Sequence, residues 1–165
     1  MLFGGLASIS AASKATSSKA IVQPEVIRAF TLAGFPWLMA KIYDDIVMDD
    51  ESSAEFSLDG ELPPYHVHGL VTSVEMHESM ERLSKELSNA HMGLNEEEAR
   101  IISLAAGSHH DRLFLMRSEA RELARELGLN PSSPLVAVTE AMEKRLIDVE
   151  SYMNLSIDLL SWEGR

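Results

Sequence analysis

The sequence has no cysteine, few aromatic residues (6%) and little positive charge, with 14 Lys and Arg against 26 Asp and Glu in 165 residues. Each shortage removes a class of chemistry. Without cysteine there is no disulfide framework, thiolate zinc site, iron–sulfur cluster or thiol nucleophile. A formal charge of −12 opposes sequence-independent binding to nucleic acid or to anionic lipid. No apolar run approaches the roughly 20 residues of a membrane span. The glycines are scattered, so no nucleotide-binding glycine loop is formed, and no Gly-x-Ser-x-Gly elbow is present. What remains is an apolar content of 45%, enough for the core of one domain. The lack of cysteine fits a reducing, cytoplasmic setting.

The charge is unevenly spread. Residues 1–24 contain Lys14 and Lys19 and no acid, so the remainder carries 12 basic and 26 acidic residues, a balance of −14. Residues 1–23 therefore read as a flexible tail or a targeting or interaction arm, and 24–165 as a single domain. Between Asp49 and Pro64 helical periodicity is lost, and Asp49, Asp50, Glu51, Glu55, Asp59 and Glu61 mark an acidic loop. Phe56 and Leu58 are candidates to pin it to the surface.

Helical spacing dominates the rest. Pro24 and Glu25 open a helix whose stripe is Val26, Ile27, Phe30, Ala33, Trp37 and Ala40, kinked at Gly34 and Pro36 and continuing to Met48. Thr72 and Glu75 have capping-box spacing ahead of Met76, Met80, Leu83, Leu87 and Ala90. Gly93 stands where a left-handed C-cap residue would. Asn95 and Glu98 form a second capping-box pair, which makes 92–96 a tight turn between antiparallel helices. The longest signal is Ile102, Ala106, His109, Leu113, Met116, Ala120, Leu123 and Leu127, separated alternately by four and three. That heptad pattern predicts one continuous helix over about 95–127; a break at Ser108 is the rival reading. Gly128 ends it. Ser133 and Pro134 then start a last helix over 134–162 with Leu135, Val138, Met142, Leu146, Val149, Met153, Ile157 and Leu160 on one line. The expected fold is all-α: an up-and-down antiparallel helical bundle built on the 95–127/134–162 hairpin, its seam open to a protein partner or a second copy of the chain.

Histidine is the main candidate for chemistry. His110-Asp111 on a long helix of a hairpin resembles the phosphoacceptor hairpin of sensor histidine kinases. That resemblance implies phosphotransfer on His110 with Asp111 activating it. The run from Ile102 to Asp111 also loosely resembles the helix leading into the His-Asp dyad of a family of metal-dependent phosphohydrolases, for which His77 and Asp148 would supply the further ligands. No acid lies three residues before any histidine, so the di-iron bundle pattern is absent. His66, His68, His77 and His91 are weak metal-ligand candidates, the last two beside Met76, Met80 and Met92, a set suited to a soft ion. The bland reading of His109 is a polar seam residue that sets register. The expectation is a non-enzymatic adaptor, regulator or assembly subunit that works through amphipathic helix faces and oligomerisation, without cofactor or nucleic acid. Phosphotransfer by a mid-helix His-Asp pair is the alternative.

Overall fold

The structure, a computed structural model, describes residues 18–58 and 71–163. Its elements run β1 (Lys19–Val22), α1 (Pro24–Leu32), α2 (Leu38–Ile42), β2 (Asp45–Asp49), α3 (Asp50–Leu58), β3 (Thr72–Val74), α4 (Glu78–Ala90), α5 (Glu96–Gly107), β4 (Arg112–Phe114), α6 (Ser118–Glu126), β5 (Pro131–Ser132), α7 (Pro134–Glu143) and α8 (Val149–Glu163). The strands form a parallel sheet in the order β3-β2-β1-β4-β5. The fold is α/β, and the all-α bundle is overturned.

The central strand is Lys-Ala-Ile-Val, with Ile21 level with Val47 of β2 and Leu113 of β4. Ala20, Ile21, Val22, Ile46, Val47, Met48, Leu113 and Phe114 are all buried. Strands covered by helices on both faces read as short continuous apolar runs, which spacing alone does not separate from a piece of buried helix. Parallel pairing requires crossovers, and right-handed crossovers distribute the helices over both faces. The long α4–α5 hairpin carries the chain from the β3 edge to β4, and α5 packs over β1 and β2. On the other side α1 meets α3 and α8, and α7 meets α2 and α8.

Several expectations are corrected by this topology. The expected 95–127 helix is three elements. Its first part ends at Gly107, whose Cα faces the Met80 side chain with no room for a Cβ. Ile102 is buried in α5, and Leu113 and Met116 are buried on and just after β4. Ala120 and Leu123 are buried in α6, whereas Ala106, His109 and Leu127 are exposed. The eight residues share a spacing and no common face. The 134–162 helix is broken at Lys144–Asp148, where Arg145 has a φ of 59°. Lys19–Val22, placed in the N-terminal arm by composition, is the middle of the sheet. The expected kinked helix to Met48 ends at Ile42 and gives way to β2. Residues 50–58 of the expected acidic loop are helical, and Thr72 lies on β3. The bulk of the expected arm (1–17), the rest of the acidic loop (59–64), His66 and His68 lie outside the described residues, as do the side chains of Phe56 and Leu58.

Several start and stop signals read from capping chemistry hold, whereas the Thr72–Glu75 box does not open a helix: α4 starts at Glu78, after His77. Pro24 opens α1. Asn95 Oδ1 accepts from the Glu98 amide at 2.7 Å while Glu98 Oε1 accepts from the Asn95 amide at 3.0 Å. Ser133 Oγ accepts from the Leu135 amide ahead of Pro134. Gly128 takes a φ of 84° after α6, and Gly93 does not enter the left-handed region. No helix among the described residues is long and apolar enough to cross a membrane.

Ile21→Ala, in the fully buried central strand, is expected to cost about 2–5 kcal/mol in urea unfolding. His109→Leu, in the exposed loop before β4, is expected to change stability by less than about 0.5 kcal/mol. A large stabilisation by the second variant would mean that His109 does sit in an apolar seam.

Candidate functional site

In an open parallel sheet, the crevice for a ligand lies outside the carboxyl ends of the strands, where the strand order reverses. Here that point falls between β1 and β4. Gln23, the residue after β1, is fully buried there and closes the gap with its side chain. Its amide nitrogen donates to Phe114 O at 3.1 Å, and its Oε1 accepts from the Met116 amide at 3.0 Å. Its Nε2 donates to Glu25 Oε2 and Glu97 Oε1, both at 3.2 Å. The next turn of chain after β4 is held by buried Arg121, whose Nη1 donates to Leu115 O and Met116 O at 2.9 and 2.7 Å.

Around this plug, three carboxylates are matched by three arginines. Glu98 is fully buried, and Arg117, just past β4, donates to both of its oxygens. The same guanidinium reaches Gly93 O and Glu119, so it ties the end of β4 to the α4–α5 turn. Arg28 on α1 lies 3.4 Å from Glu97. Asp49, the fully buried last residue of β2, faces Arg100 Nε at 3.2 Å and accepts the Ser52 amide at 3.0 Å. Arg100 also reaches Glu51. The hydrogen bonds to Glu98, more than anything else, raise the Arg117 pKa above the usual arginine value. Burial pushes the Glu97 carboxyl up from its usual 4.5, against the pull of Arg28 and Gln23.

Beside this arrangement a cleft of about 520 Å³ opens at the ends of β2 and β3, lined by Asp50, Glu51, Met76, Glu81, Lys85 and Arg100 among others. Among the described residues no group of three or more His, Asp or Glu side chains is placed to hold a metal ion.

The residues singled out by sequence lie elsewhere. His110 and Asp111 occupy the loop entering β4, at the amino ends of the strands and opposite the crevice. His110 Nδ1 donates to Ser108 O at 2.9 Å, and Asp111 accepts the Lys19 amide at 2.8 Å. The carboxylate is engaged by backbone, and the helical hairpin behind the phosphoacceptor resemblance is not formed. The helix of the phosphohydrolase resemblance likewise stops at Gly107, before the dyad. His77 and His91 are exposed and flank opposite ends of α4, 14 residues or about 21 Å apart. Asp148 accepts the Ser151 amide at 2.7 Å and caps α8, which lowers its pKa. A partly buried triad near β4, Tyr43–Glu140–Arg112, is likewise absent from the residues the sequence pattern singles out. Tyr43 OH donates to Glu140 Oε2 at 2.8 Å and Arg112 Nε to Oε1 at 2.9 Å, and burial raises the tyrosine pKa strongly. Its members lie 69, 28 and 97 residues apart in pairs, so no local pattern announces it.

No family model, curated protein or solved structure matches the chain.

The Glu97 shift fixes a pH dependence. A carboxyl whose folded value is raised contributes stability that is full below its unfolded value and is lost as pH rises through the folded value. Wild-type stability from this group should therefore fall as pH climbs from just above 4.5. Glu97→Gln should flatten that part of the curve, as read from urea midpoints across the acid range. An unchanged profile would mean that Arg28 and Gln23 fully offset the burial.

Proposed function

We propose that this protein is a non-enzymatic interaction protein that binds a protein partner through exposed helix faces. The observation that carries this reading is the occupancy of the switch point by the chain's own groups. Gln23 fills the gap between β1 and β4, and Glu98, Glu97 and Asp49 are each matched by an arginine. A guanidinium held against a buried carboxylate repels the divalent cation that such a carboxylate would otherwise attract. The crevice then acts as a fastening that links β1, β4 and the α4–α5 turn.

Arg117→Met leaves Glu98 buried without its ion-pair partner and is expected to lower stability by about 3 kcal/mol or more. Wild-type protein is expected to show a melting-temperature change below about 1 °C on adding Mg²⁺, Mn²⁺ or nucleotides at millimolar concentration. A larger rise in the wild type that disappears in Glu98→Gln would overturn the reading, because it would place a ligand in the crevice.

A further inference from the structure

The last helix, α8, is apolar on two sides. One side faces the molecule: Leu155 and Leu159 are buried, Tyr152 and Trp162 are half-buried, and Trp162 Nε1 donates to Glu25 Oε1 at 3.3 Å. The other side carries Val149, Met153, Ile157 and Leu160, which are 61%, 56%, 61% and 54% exposed. At 3.6 residues per turn these four fall within about 80° of one another and about 140° from the buried line. Helical spacing puts them on one line with Leu135 and Val138, and the structure turns them outward. Four large apolar side chains at i, i+4, i+8 and i+11 form an exposed apolar stripe, the kind of feature that marks interaction sites on monomers. The segment itself is acidic, with Lys144 and Arg145 in the turn before it. From Leu146 to Glu163 there are four acids, Asp148, Glu150, Asp158 and Glu163, and no Lys or Arg.

We infer that the outer face of α8 docks a basic amphipathic helix of another protein. Its apolar stripe would pack on Met153 and Ile157, and its flanking Lys or Arg residues would face Glu150, the exposed acid that borders the stripe. The inference rests on the interaction reading above and names its surface and partner chemistry. The apolar stripe calls for a helix with a matching one. The charge argues against a second copy, since two α8 helices would bring acids together without a basic residue between Leu146 and Glu163 to relieve them.

The test uses full-length protein and two labelled helical peptides with leucine at helical spacing, one with lysine and one with glutamate on the remaining positions. Fluorescence anisotropy should show the lysine peptide binding at least about tenfold tighter than the glutamate peptide, with affinity falling as salt rises. The double variant Met153→Glu, Ile157→Glu should weaken the lysine peptide about tenfold or more. This variant is decisive because it adds negative charge. Non-specific attraction of lysine to an acidic protein would strengthen, whereas docking on the apolar stripe would be lost. Met153→Ser with Ile157→Ser should weaken binding without the charge change. Both changes lie on exposed positions, so circular dichroism and melting temperature should match the wild type. Unchanged or tighter peptide binding by the glutamate variant overturns the proposal, as does no binding of the lysine peptide by wild type. A wild-type dimer in sedimentation that the glutamate variant converts to monomer also overturns it and assigns the face to a second copy. A tenfold gain in peptide affinity on replacing Leu2, Phe3 and Leu6 with serine overturns it too and assigns the face to the chain's own N-terminus. Each of these results is separate from the metal and nucleotide response that tests the switch point, so the two readings fail independently.

Discussion

The rest of the structure follows from the position of a four-residue strand. Lys19–Val22 is paired on both edges, by β2 and by β4, and Ala20, Ile21 and Val22 are fully buried. A strand buried in this way must have its backbone groups paired and both faces covered by apolar side chains. Parallel neighbours meet the first demand, and parallel neighbours oblige the chain to cross over with helices, which meet the second. The α4–α5 hairpin exists in this place because the chain must travel from the β3 edge back across β1 to begin β4. Asp44 and Asp111 close the other end of the strands, where they accept the backbone amides of Ser18 and Lys19.

At the carboxyl ends the same geometry creates a problem that charged groups resolve. Beyond the last strand pairings, Gln23 N to Phe114 O and Leu115 N to Ser132 O, the backbone leaves the sheet. The Gln23 side chain supplies an acceptor to the Met116 amide, and Arg121 donates to two carbonyls beyond β4. Buried Glu98 serves twice, as half of the capping box of α5 and as the partner of Arg117. A carboxylate that is both a cap and an ion-pair member couples the start of a helix to the end of a strand. Burial of such a pair costs desolvation of both charges, and the number of hydrogen bonds on each is what offsets it. Where the offset is smaller, as at Glu97 with its longer 3.4 Å contact to Arg28, the carboxyl pKa rises. The interaction reading depends on this contrast between a crevice occupied by the chain's own charges and an outer helix face with unpartnered apolar side chains.

Local chemistry was legible in the sequence. Pro24 at the first turn of a helix, the Asn95–Glu98 box, Gly128 past the end of α6 and Ser133-Pro134 before α7 were each readable, because a cap is made by residues within four positions of each other. The turn between α4 and α5 was found for the same reason. The strands were not. Leu113 and Met116 fit a three-four spacing as well as any helical residue, and a buried strand of three to five residues has no alternation to betray it. The candidate site was hidden further, since Gln23, Glu98 and Arg117 come from three separate segments and each is unremarkable alone. The histidines drew attention because they are chemically versatile, and the described ones, His77, His91, His109 and His110, lie at helix ends and in the loop before β4.

The sequence by itself determined the capping chemistry at Pro24, Asn95–Glu98, Gly128 and Ser133-Pro134, the acidic balance and the absence of cysteine, since these depend on neighbouring residues or on composition. Tertiary structure decided which apolar residues are inside. On α8, Val149, Met153, Ile157 and Leu160 and the set Tyr152, Leu155, Leu159 and Trp162 are two apolar lines on one helix, and helical spacing accommodates both. Only the packing of α8 against α1 and α7 selects the second for the core and leaves the first exposed. The physical reason is that hydrophobic burial is non-directional along a chain and acts on whatever surface the rest of the fold presents.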